Sequence, residues 1–178
     1  MTPFSIVVAT DQKQGIGRDG DLPWRLKCDL QHFKEITTRT RDKNKLNAVI
    51  MGRRTWDSLP AQFRPLPHRV NIVITRNDNL KFPQGVLRAG GLEQALDLLA
   101  EGALSKIIES VYVIGGAQIF QQAIVCQECH KIYLTQILQD FHCDTFFPDD
   151  LPSLIPLFKS AEYCENNTRF FFAEYRRL

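Results

Sequence analysis

The sequence predicts an α/β fold: one domain with a mainly parallel, twisted sheet, flanking helices and a C-terminal antiparallel hairpin. Its 178 residues fit one ordinary domain, and 44% of them are hydrophobic, which is enough to bury a sizeable core. Short β-branched runs alternate with helical patterns, which is typical of parallel sheets. No Pro-, Gly- or Ser-rich linker divides the chain, so we expect a single domain over residues 1–178.

Five runs are nearly continuous in apolar residues, as strands buried on both faces should be. The first is followed by GIGRDGDLP at 15–23, a glycine-bearing loop. Ligands of such sheets bind beyond the carboxyl ends of the strands, so this loop is placed to cover a site. FFFAEY at 170–175 follows LFKSAEYCENN without a helical pattern, which predicts the antiparallel hairpin at the sheet edge. The five predicted strands are 4–9, 47–52, 70–75, 111–116 and 131–137.

Composition and charge exclude several classes of protein. The net charge is +2 with acids and bases interspersed, which argues against a nucleic-acid-binding protein. The start, MTPFSIVVATD, lacks the features of a signal peptide, and no run of 18 apolar residues occurs. Five cysteines are an odd number in a chain that can fold without disulfides. We therefore expect a cytoplasmic protein, off the membrane, with reduced thiols and no metal site.

An acid lies on an apolar helical stripe. In the predicted helix 25–36, Leu26, Leu30 and Phe33 share one face, and Asp29 falls on the same face. An acid there loses hydration, so it must find hydrogen-bond donors or take up a proton. One interpretation is an ion pair with an Arg or Lys from elsewhere. The other is an anchor for a ligand that offers two adjacent N–H donors, which a carboxylate accepts in a fork.

Two strands end in glycine and pass at once into predicted helices, VIMGRRTWDSL at 49–59 and YVIGGAQIFQQA at 112–123. Glycine lets the backbone approach a ligand closely, and the free N–H groups of a helix start face phosphate oxygens. Two such turns suit a dinucleotide, although G-x-G-x-x-G is absent and plain strand–helix turns remain an alternative. Nearby cations and a hydroxyl favour the extra phosphate of NADPH over NADH. These side chains are Arg53, Arg54, Thr75 and Arg76.

Five motifs in order resemble those of dihydrofolate reductase. They are GIGRDGDLPW, the acid five residues beyond that Trp, VIMGRRTW, RPLPHRVNIVIT and VIGGAQIF, and the resemblance runs from about Phe4 to the C-terminal hairpin. It implies a dihydrofolate reductase-like fold, a monomer and antifolate-type inhibitors. It also implies reduction of 7,8-dihydrofolate to 5,6,7,8-tetrahydrofolate for one-carbon metabolism. Hydride would pass from nicotinamide C4 of NADPH to pterin C6, and a proton would reach N5 through water.

The resemblance also implies a set of substrate residues. Asp29, the only ionisable side chain expected in the pterin pocket, would bind the pterin 2-amino group and N3, supported by Thr135. Trp24 would hold a water, and Leu22 in the mobile loop would control access. Arg69 would pair with the α-carboxylate of the glutamate tail; an exposed solubility charge is its alternative. The remaining pocket residues would be Val7, Val8, Leu30, Phe33, Leu59 and Ile114.

The cofactor residues follow from the same resemblance. The backbones of Ala9 and Ile16 would meet the nicotinamide carboxamide. Thr75 and Arg76 would contact the adenosine 2′-phosphate. The second phosphate turn would contain a cis Gly-Gly bond. The first turn would be Gly52, Arg53, Arg54 and Thr55, and the second Gly115, Gly116, Ala117, Gln118 and Ile119, followed by Phe120.

Two positions depart from the family pattern. Phe120 stands where many members carry Tyr, which removes a hydroxyl near the nicotinamide and pterin. Gly90 stands where vertebrate-like members carry an arginine near the adenosine phosphate, which weakens the expected preference for NADPH. The other cations should still favour it.

Other functions stay open. Cys126, Cys129 and His130 spell C-x-x-C-H, a pattern of c-type haem attachment, although a helix end and loop before the next strand explains it too. The related NADPH-dependent reductase of riboflavin biosynthesis shares the fold, but Asp29 and Trp24 favour a pterin. A catalytically silent NADPH- or folate-binding module is the third alternative.

Overall fold

A nine-stranded sheet forms the centre of the computed structural model, which describes residues 2–149, 151 and 153–178. The strands are β1 (Phe4–Thr10), β2 (Gly15–Gly17), β3 (Leu46–Gly52), β4 (Arg69–Ile74), β5 (Val86–Ala89), β6 (Ile108–Val113), β7 (Cys129–Ile137), β8 (Thr145–Phe146), β9 (Leu154–Lys159), β10 (Tyr163–Glu165) and β11 (Thr168–Arg177). The helices are α1 (Lys27–Thr38), α2 (Arg53–Ser58), α3 (Leu92–Ala100), α4 (Leu104–Ile107) and α5 (Ala117–Val125), with a 3-10 turn at Ala61–Phe63.

The sheet is mainly parallel, as predicted. Its order is β10-β11-β7-β1-β6-β3-β4-β5, with β9 also paired to β11, and the pairs among β1 and β3 to β7 are all parallel. β11 runs antiparallel to β7 and joins β10 in the predicted hairpin. Asn166 and Asn167 form its turn with φ of 51° and 58°. Positive φ at both central residues is the type I′ geometry, which matches the twist of the flanking strands.

Alternate residues of the central strands pack on opposite faces of the sheet. Ile6 and Val8 lie in the larger cluster with residues of α3 and α5. Val7 lies in the second cluster, against Phe33 of α1 and Trp56 of α2. The parallel strands are therefore covered on both sides, which explains why their sequences are nearly continuous in apolar residues.

Helix α1 begins at Lys27, two residues later than predicted, and ends at Thr38. Leu26 is buried, but Leu30 is 56% exposed, so the predicted stripe is wrong as a core-packing face at that position. The buried residues of α1 are the polar Asp29 and Thr37. The fully buried residues of α1 are thus polar, while Phe33 and Ile36 of the same helix are partly buried against the second cluster.

The C-x-x-C-H segment is a helix end followed by a strand start. Cys126 is the C-terminal cap residue of α5, and Cys129 is the buried first residue of β7. The Cys126 thiol donates to Glu128 Oε2 over 2.7 Å. All five cysteines are free thiols.

The described residues lack two features. None of their helices combines the length and the apolar character that a membrane span requires. In the same part of the chain, no cluster of three or more His, Cys, Asp or Glu side chains has the arrangement of a metal site.

Candidate active site

A cavity of about 280 Å³ opens where β1 and β6 end, between α1, α2 and the loop after the first strand. Residues 16, 17 and 20–22 of that loop line it, so the loop borders this cavity as a loop that covers a site would. The wall is largely apolar, which suits a flat organic ligand held by a few polar groups. The predicted site residues in this wall are Val7, Val8, Ala9, Ile16, Leu22, Asp29, Leu30, Phe33, Arg54, Thr55, Leu59, Ile114, Gly116, Phe120 and Thr135.

Asp29 is the carboxylate of the cavity wall. It lies in the first turn of α1, is 8% exposed, and its Oδ1 accepts a hydrogen bond from Thr135 Oγ1 over 2.7 Å. Burial raises its pKa to about 6, against the opposing effect of the Thr135 bond. No Lys or Arg of the described residues forms an ion pair with it. Its Oδ2 has no hydrogen-bond partner in this part of the chain, and the residue lines the cavity, which favours the ligand-anchor interpretation over an internal ion pair.

Trp24 and Leu22 are the two predicted site residues in the segment before α1. Trp24 is buried, packs edge-on against Phe141 at 5.4 Å between ring centroids, and its indole Nε1 has no partner among the described residues. A buried N–H without a partner is rare, so this group suits a bound water, the role that the resemblance implies for Trp24. Leu22 is exposed and lines the cavity, as a gating residue would.

Arg69 is a buried guanidinium at the start of β4. It is 8% exposed, its Nη1 donates to Thr37 Oγ1 over 2.7 Å, and its Nε donates to the Pro67 carbonyl. Its carbon Cζ lies 5.8 Å from the ring centroid of Phe33, which lines the cavity. Burial lowers its pKa to about 10, so it stays charged at neutral pH. The solubility-charge alternative is therefore wrong, and the arrangement suits a ligand carboxylate.

The two glycine turns meet at one point. The Gly52 N–H donates to the Gly115 carbonyl over 2.7 Å, and the Gly115–Gly116 peptide bond is cis, as the resemblance implies. Gly115 has a φ of 115°, and a Cβ there would lie 3.1 Å from Phe120. A Cβ on Gly116 would lie 3.2 Å from Thr55 Oγ1. Side chains at these positions would crowd the junction, so glycine keeps the backbone open to a ligand.

The other predicted residues of the second turn form the start of α5. Ala117 and Gln118 are the first residues of α5, whose free N–H groups point to the same end of the sheet. Ile119 and Phe120 are buried, and the Phe120 ring lies edge-on to Phe147 at 5.2 Å. Phe120 also lines the cavity, so the hydroxyl that a Tyr would carry at this position is absent from the cavity wall.

The predicted phosphate cations differ in their surroundings. Arg54 lines the cavity, whereas Arg53 points to Asp57 and forms an ion pair of 2.6 Å one turn along α2. Arg76 is exposed just beyond β4, and the buried Thr75 accepts from the Asn77 N–H over 3.1 Å. Gly90 donates its N–H to Gln94 Oε1 over 2.6 Å, beside the start of α3. Several predicted site residues thus lie outside the cavity wall: Gly52, Arg53, Thr75, Arg76, Trp24, Arg69, Gly115, Ala117, Gln118 and Ile119.

The sequence did not predict several residues of the cavity wall, and ionisable side chains other than Asp29 are among them. That Asp29 is the only ionisable side chain of the pterin pocket itself stays a prediction. His32 lies one turn beyond Asp29, and its ring stacks on Phe172 at 3.8 Å between centroids. Burial lowers its pKa, so the imidazole is neutral at physiological pH. Its spacing from Asp29 on the same helix was the signal that could have found it. The missed wall residues are Gly17, Gly20, Asp21, His32, Ile36, Ser58, Tyr133 and Thr145.

Comparisons with known proteins agree on one family. A family model described as dihydrofolate reductase matches residues 3–177. The dihydrofolate reductase of Aedes albopictus is 42% identical over 150 residues, which cover 84% of this chain and 81% of that protein. A solved Schistosoma mansoni dihydrofolate reductase superposes with a TM-score of 0.89 at 35% identity and covers 99% of both chains.

Longer relatives match as well. The bifunctional dihydrofolate reductase-thymidylate synthase of Glycine max is 44% identical over 178 residues, which are 98% of this chain and 34% of that protein. The chain thus spans about a third of the length of such bifunctional relatives. The match to single-function reductases, however, covers most of this chain and most of each relative. The chain belongs to the dihydrofolate reductase family.

Proposed function

We propose that this chain catalyses the NADPH-dependent reduction of 7,8-dihydrofolate to 5,6,7,8-tetrahydrofolate, and that antifolate-type inhibitors bind in the same cavity. This is the general reaction of its family. One observation carries the proposal for this chain: a carboxylate, Asp29, stands in a largely apolar cavity, held by Thr135 and paired with no cation of the described residues.

The substrate is recognised by two charged groups with apolar surface between them. Asp29 Oδ2 accepts from the N–H donors of the pterin ring, and Thr135 fixes the carboxylate that does so. Arg69 receives the α-carboxylate of the glutamate tail, since its guanidinium is buried beside Phe33 and still charged at neutral pH. Leu30 and Leu59 supply apolar contact in the same cavity.

The residues present fit a dinucleotide cofactor. The junction of Gly52, Gly115 and Gly116 keeps backbone open beside Thr55, and a Cβ at Gly115 or Gly116 would close it. We propose that these residues, with Arg54 and the start of α5, hold the pyrophosphate, and that Thr75 and Arg76 hold the 2′-phosphate. Bound NADPH would supply the hydride that the pterin receives at C6.

The chain itself orients the ring and controls the proton. Asp29 is bonded to Thr135 and lies on one side of the cavity, so we propose that it polarises the ring while a water delivers the proton to N5. Its pKa near 6 leaves it mostly ionised at neutral pH and ready to accept. Leu22 and the loop over the cavity limit the entry of bulk water.

We further propose that the protein works in the cytoplasm as a monomer on small molecules, independent of nucleic acid and membranes. Its net charge of +2 with interspersed acids and bases supports the independence from nucleic acid, since nucleic-acid binding needs a concentrated basic surface. Size-exclusion chromatography with light scattering tests the oligomeric state. A mass of about twice 20.5 kDa would refute the monomer.

The substrate proposal is tested by NADPH consumption in the presence of dihydrofolate, of a ribosylated pyrimidine and of neither. We expect turnover only with dihydrofolate, inhibition by methotrexate, and slower turnover with NADH. Turnover with the pyrimidine would assign the chain to the riboflavin-type reaction. Binding of dihydrofolate without NADPH consumption would show a silent binding module instead.

A further inference from the structure

The N-terminus of α1 is capped by a residue from the far end of the chain. Leu26, the cap residue, offers no side-chain acceptor. Glu165 of β10 fills that role: its Oε1 accepts from the Lys27 N–H over 2.7 Å and its Oε2 from the Cys28 N–H over 3.0 Å. The neighbouring Asn166 side chain donates to the Arg25 carbonyl over 3.3 Å. The C-terminal hairpin is therefore hydrogen-bonded to the start of α1, the helix that carries Asp29.

This cap changes what Asp29 is free to do. Acids in the first turn of a helix often bond to its free N–H groups, and Asp29 is the third residue of α1. Glu165 takes the N–H groups of the two preceding residues, and Asp29 instead accepts from Thr135 at the cavity wall. The carboxylate that caps the helix and the carboxylate that faces the ligand are thus two different residues.

The cap also places a negative charge near the anchor. The N–H groups of Cys28 and Lys27 lower the pKa of Glu165, so it is ionised at neutral pH. Its charge offsets the positive end of α1 and adds to burial in raising the pKa of Asp29. Cys28 on α1 has a pKa raised mainly by burial, and His32 has a pKa lowered by burial, so both are neutral near pH 7.

The other charges in this region are exposed or already paired. Arg25 and Lys27, beside the helix start, are exposed to solvent. On the sheet side, Lys131 pairs with Glu174 over 3.0 Å and donates to Tyr133 of the cavity wall over 3.3 Å. Among the described groups, Glu165 is the charge that raises the pKa of Asp29, and the exposed Lys27 side chain acts on Glu165 in turn.

We propose that Glu165 is a positioning residue of the active site: it caps α1 in place of Asp29 and so leaves the Asp29 carboxyl to Thr135 and the cavity. The negative charge of Glu165 also opposes ionisation of Asp29. This role rests on the proposed reductase activity for its importance, because the protonation of Asp29 matters to a ligand that binds there. The hydrogen bond between Lys27 and Glu165 joins residues 138 positions apart in sequence. It therefore holds the C-terminal hairpin against the start of α1.

The experiment is a carboxyl-carbon NMR titration of Asp29 in the ligand-free protein, for wild type and Glu165→Gln. The amide keeps one acceptor for the helix and removes the charge. We expect the Asp29 midpoint to fall by about half a pH unit, the effect of losing one nearby partly screened charge. Glu162→Gln is the matched control, since Glu162 is exposed near the same hairpin and pairs with Arg169. Its midpoint should equal that of wild type.

Kinetics and salt give separate readouts. The KM for dihydrofolate should stay low to a more acidic pH in Glu165→Gln than in wild type. In wild type, raising the salt concentration should lower the Asp29 midpoint, because salt screens the Glu165 charge. This measurement tests the proposal even if the Glu165→Gln variant does not fold. An Asp29 midpoint that responds neither to Glu165→Gln nor to salt would overturn the proposal. If the midpoint shifts as expected but dihydrofolate is not reduced, the proposed function fails while the role of Glu165 stands.

Discussion

Thr135 Oγ1 donates to Asp29 Oδ1 over 2.7 Å and joins β7 to α1 across 106 positions of the sequence. This bond orients a carboxylate that burial would otherwise disfavour, because desolvation raises its pKa to about 6. The fold therefore carries a destabilised group in its cavity wall. Such a cost at a site is what a ligand anchor requires, since the ligand later supplies the missing donors.

Asp29→Asn should stabilise the free protein near neutral pH. The folded pKa of about 6 exceeds the ordinary value of 3.8, so the folded state binds more protons than the unfolded chain between these values. Stability from this group is fully present below about pH 4 and is lost as pH rises through 6. The neutral amide avoids that loss, which amounts to about 3 kcal/mol. Thermal melts at pH 7.5 and pH 4 should show a higher Tm for the variant at pH 7.5 only. An equal gain at both pH values would contradict the assignment.

Thr135→Val should raise the Asp29 midpoint further, because it removes the hydrogen bond that favours the carboxylate. We expect kcat/KM for dihydrofolate to fall roughly 10-fold at pH 7, the worth of a hydrogen bond to a charged group. The loss should shrink at higher pH, which a pH profile measures. Thr10→Val is the matched control: Thr10 is buried on β1 and its hydroxyl has no partner among the described residues. If the pH profile of kcat/KM for Thr135→Val equals that of wild type, the prediction is wrong.

Arg69→Met should separate recognition of the tail from recognition of the ring. Loss of the guanidinium leaves the ligand carboxylate unpaired, so kcat/KM for dihydrofolate should fall roughly 30-fold or more. A dihydropterin without the glutamate tail should react equally well with wild type and variant. The fold should persist, because Met keeps the buried volume and removes a charge whose burial is costly. Equal losses for both substrates would mean that Arg69 has only a structural role.

Arg76→Ser should weaken the preference for NADPH. Arg76 is exposed just beyond β4, beside Thr75, and one charge-assisted contact to the 2′-phosphate is worth about 10-fold in affinity. The KM for NADPH should rise by that factor while the KM for NADH stays unchanged. Arg88→Ser is the control, since Arg88 is tied to Asp78 by a 2.7 Å ion pair. If Arg76→Ser and Arg88→Ser behave alike, Arg76 is not a 2′-phosphate ligand.

Periodicity and glycine placement predicted the parts of the fold that depend on local sequence. The buried strands carry continuous apolar runs, the two glycine turns precede α2 and α5, and the Asn166–Asn167 turn closes the hairpin. Asp29 could be singled out because an acid on an apolar stripe conflicts with its neighbours. The prediction that this stripe packs in the core was wrong at Leu30, which is exposed and lines the cavity.

The parts that could not be predicted depend on contacts between distant segments. His32 meets Phe172 across the sheet edge, and Glu165 reaches α1 from the C-terminal hairpin. No local pattern in either segment encodes these pairs. β5 and β8 have only four and two residues, which is too short for a period of two to appear. The resemblance located Arg69, but only the structure showed that it is buried and bonded to Thr37.

The central claim, that Asp29 anchors the pterin for reduction, is tested most directly by dihydrofolate turnover of Asp29→Asn beside wild type at pH 7. We expect NADPH consumption by the variant to fall at least roughly 100-fold, as for loss of one preorganised charged partner, while its Tm shows that it is folded. Turnover equal to wild type in the folded variant would contradict the claim.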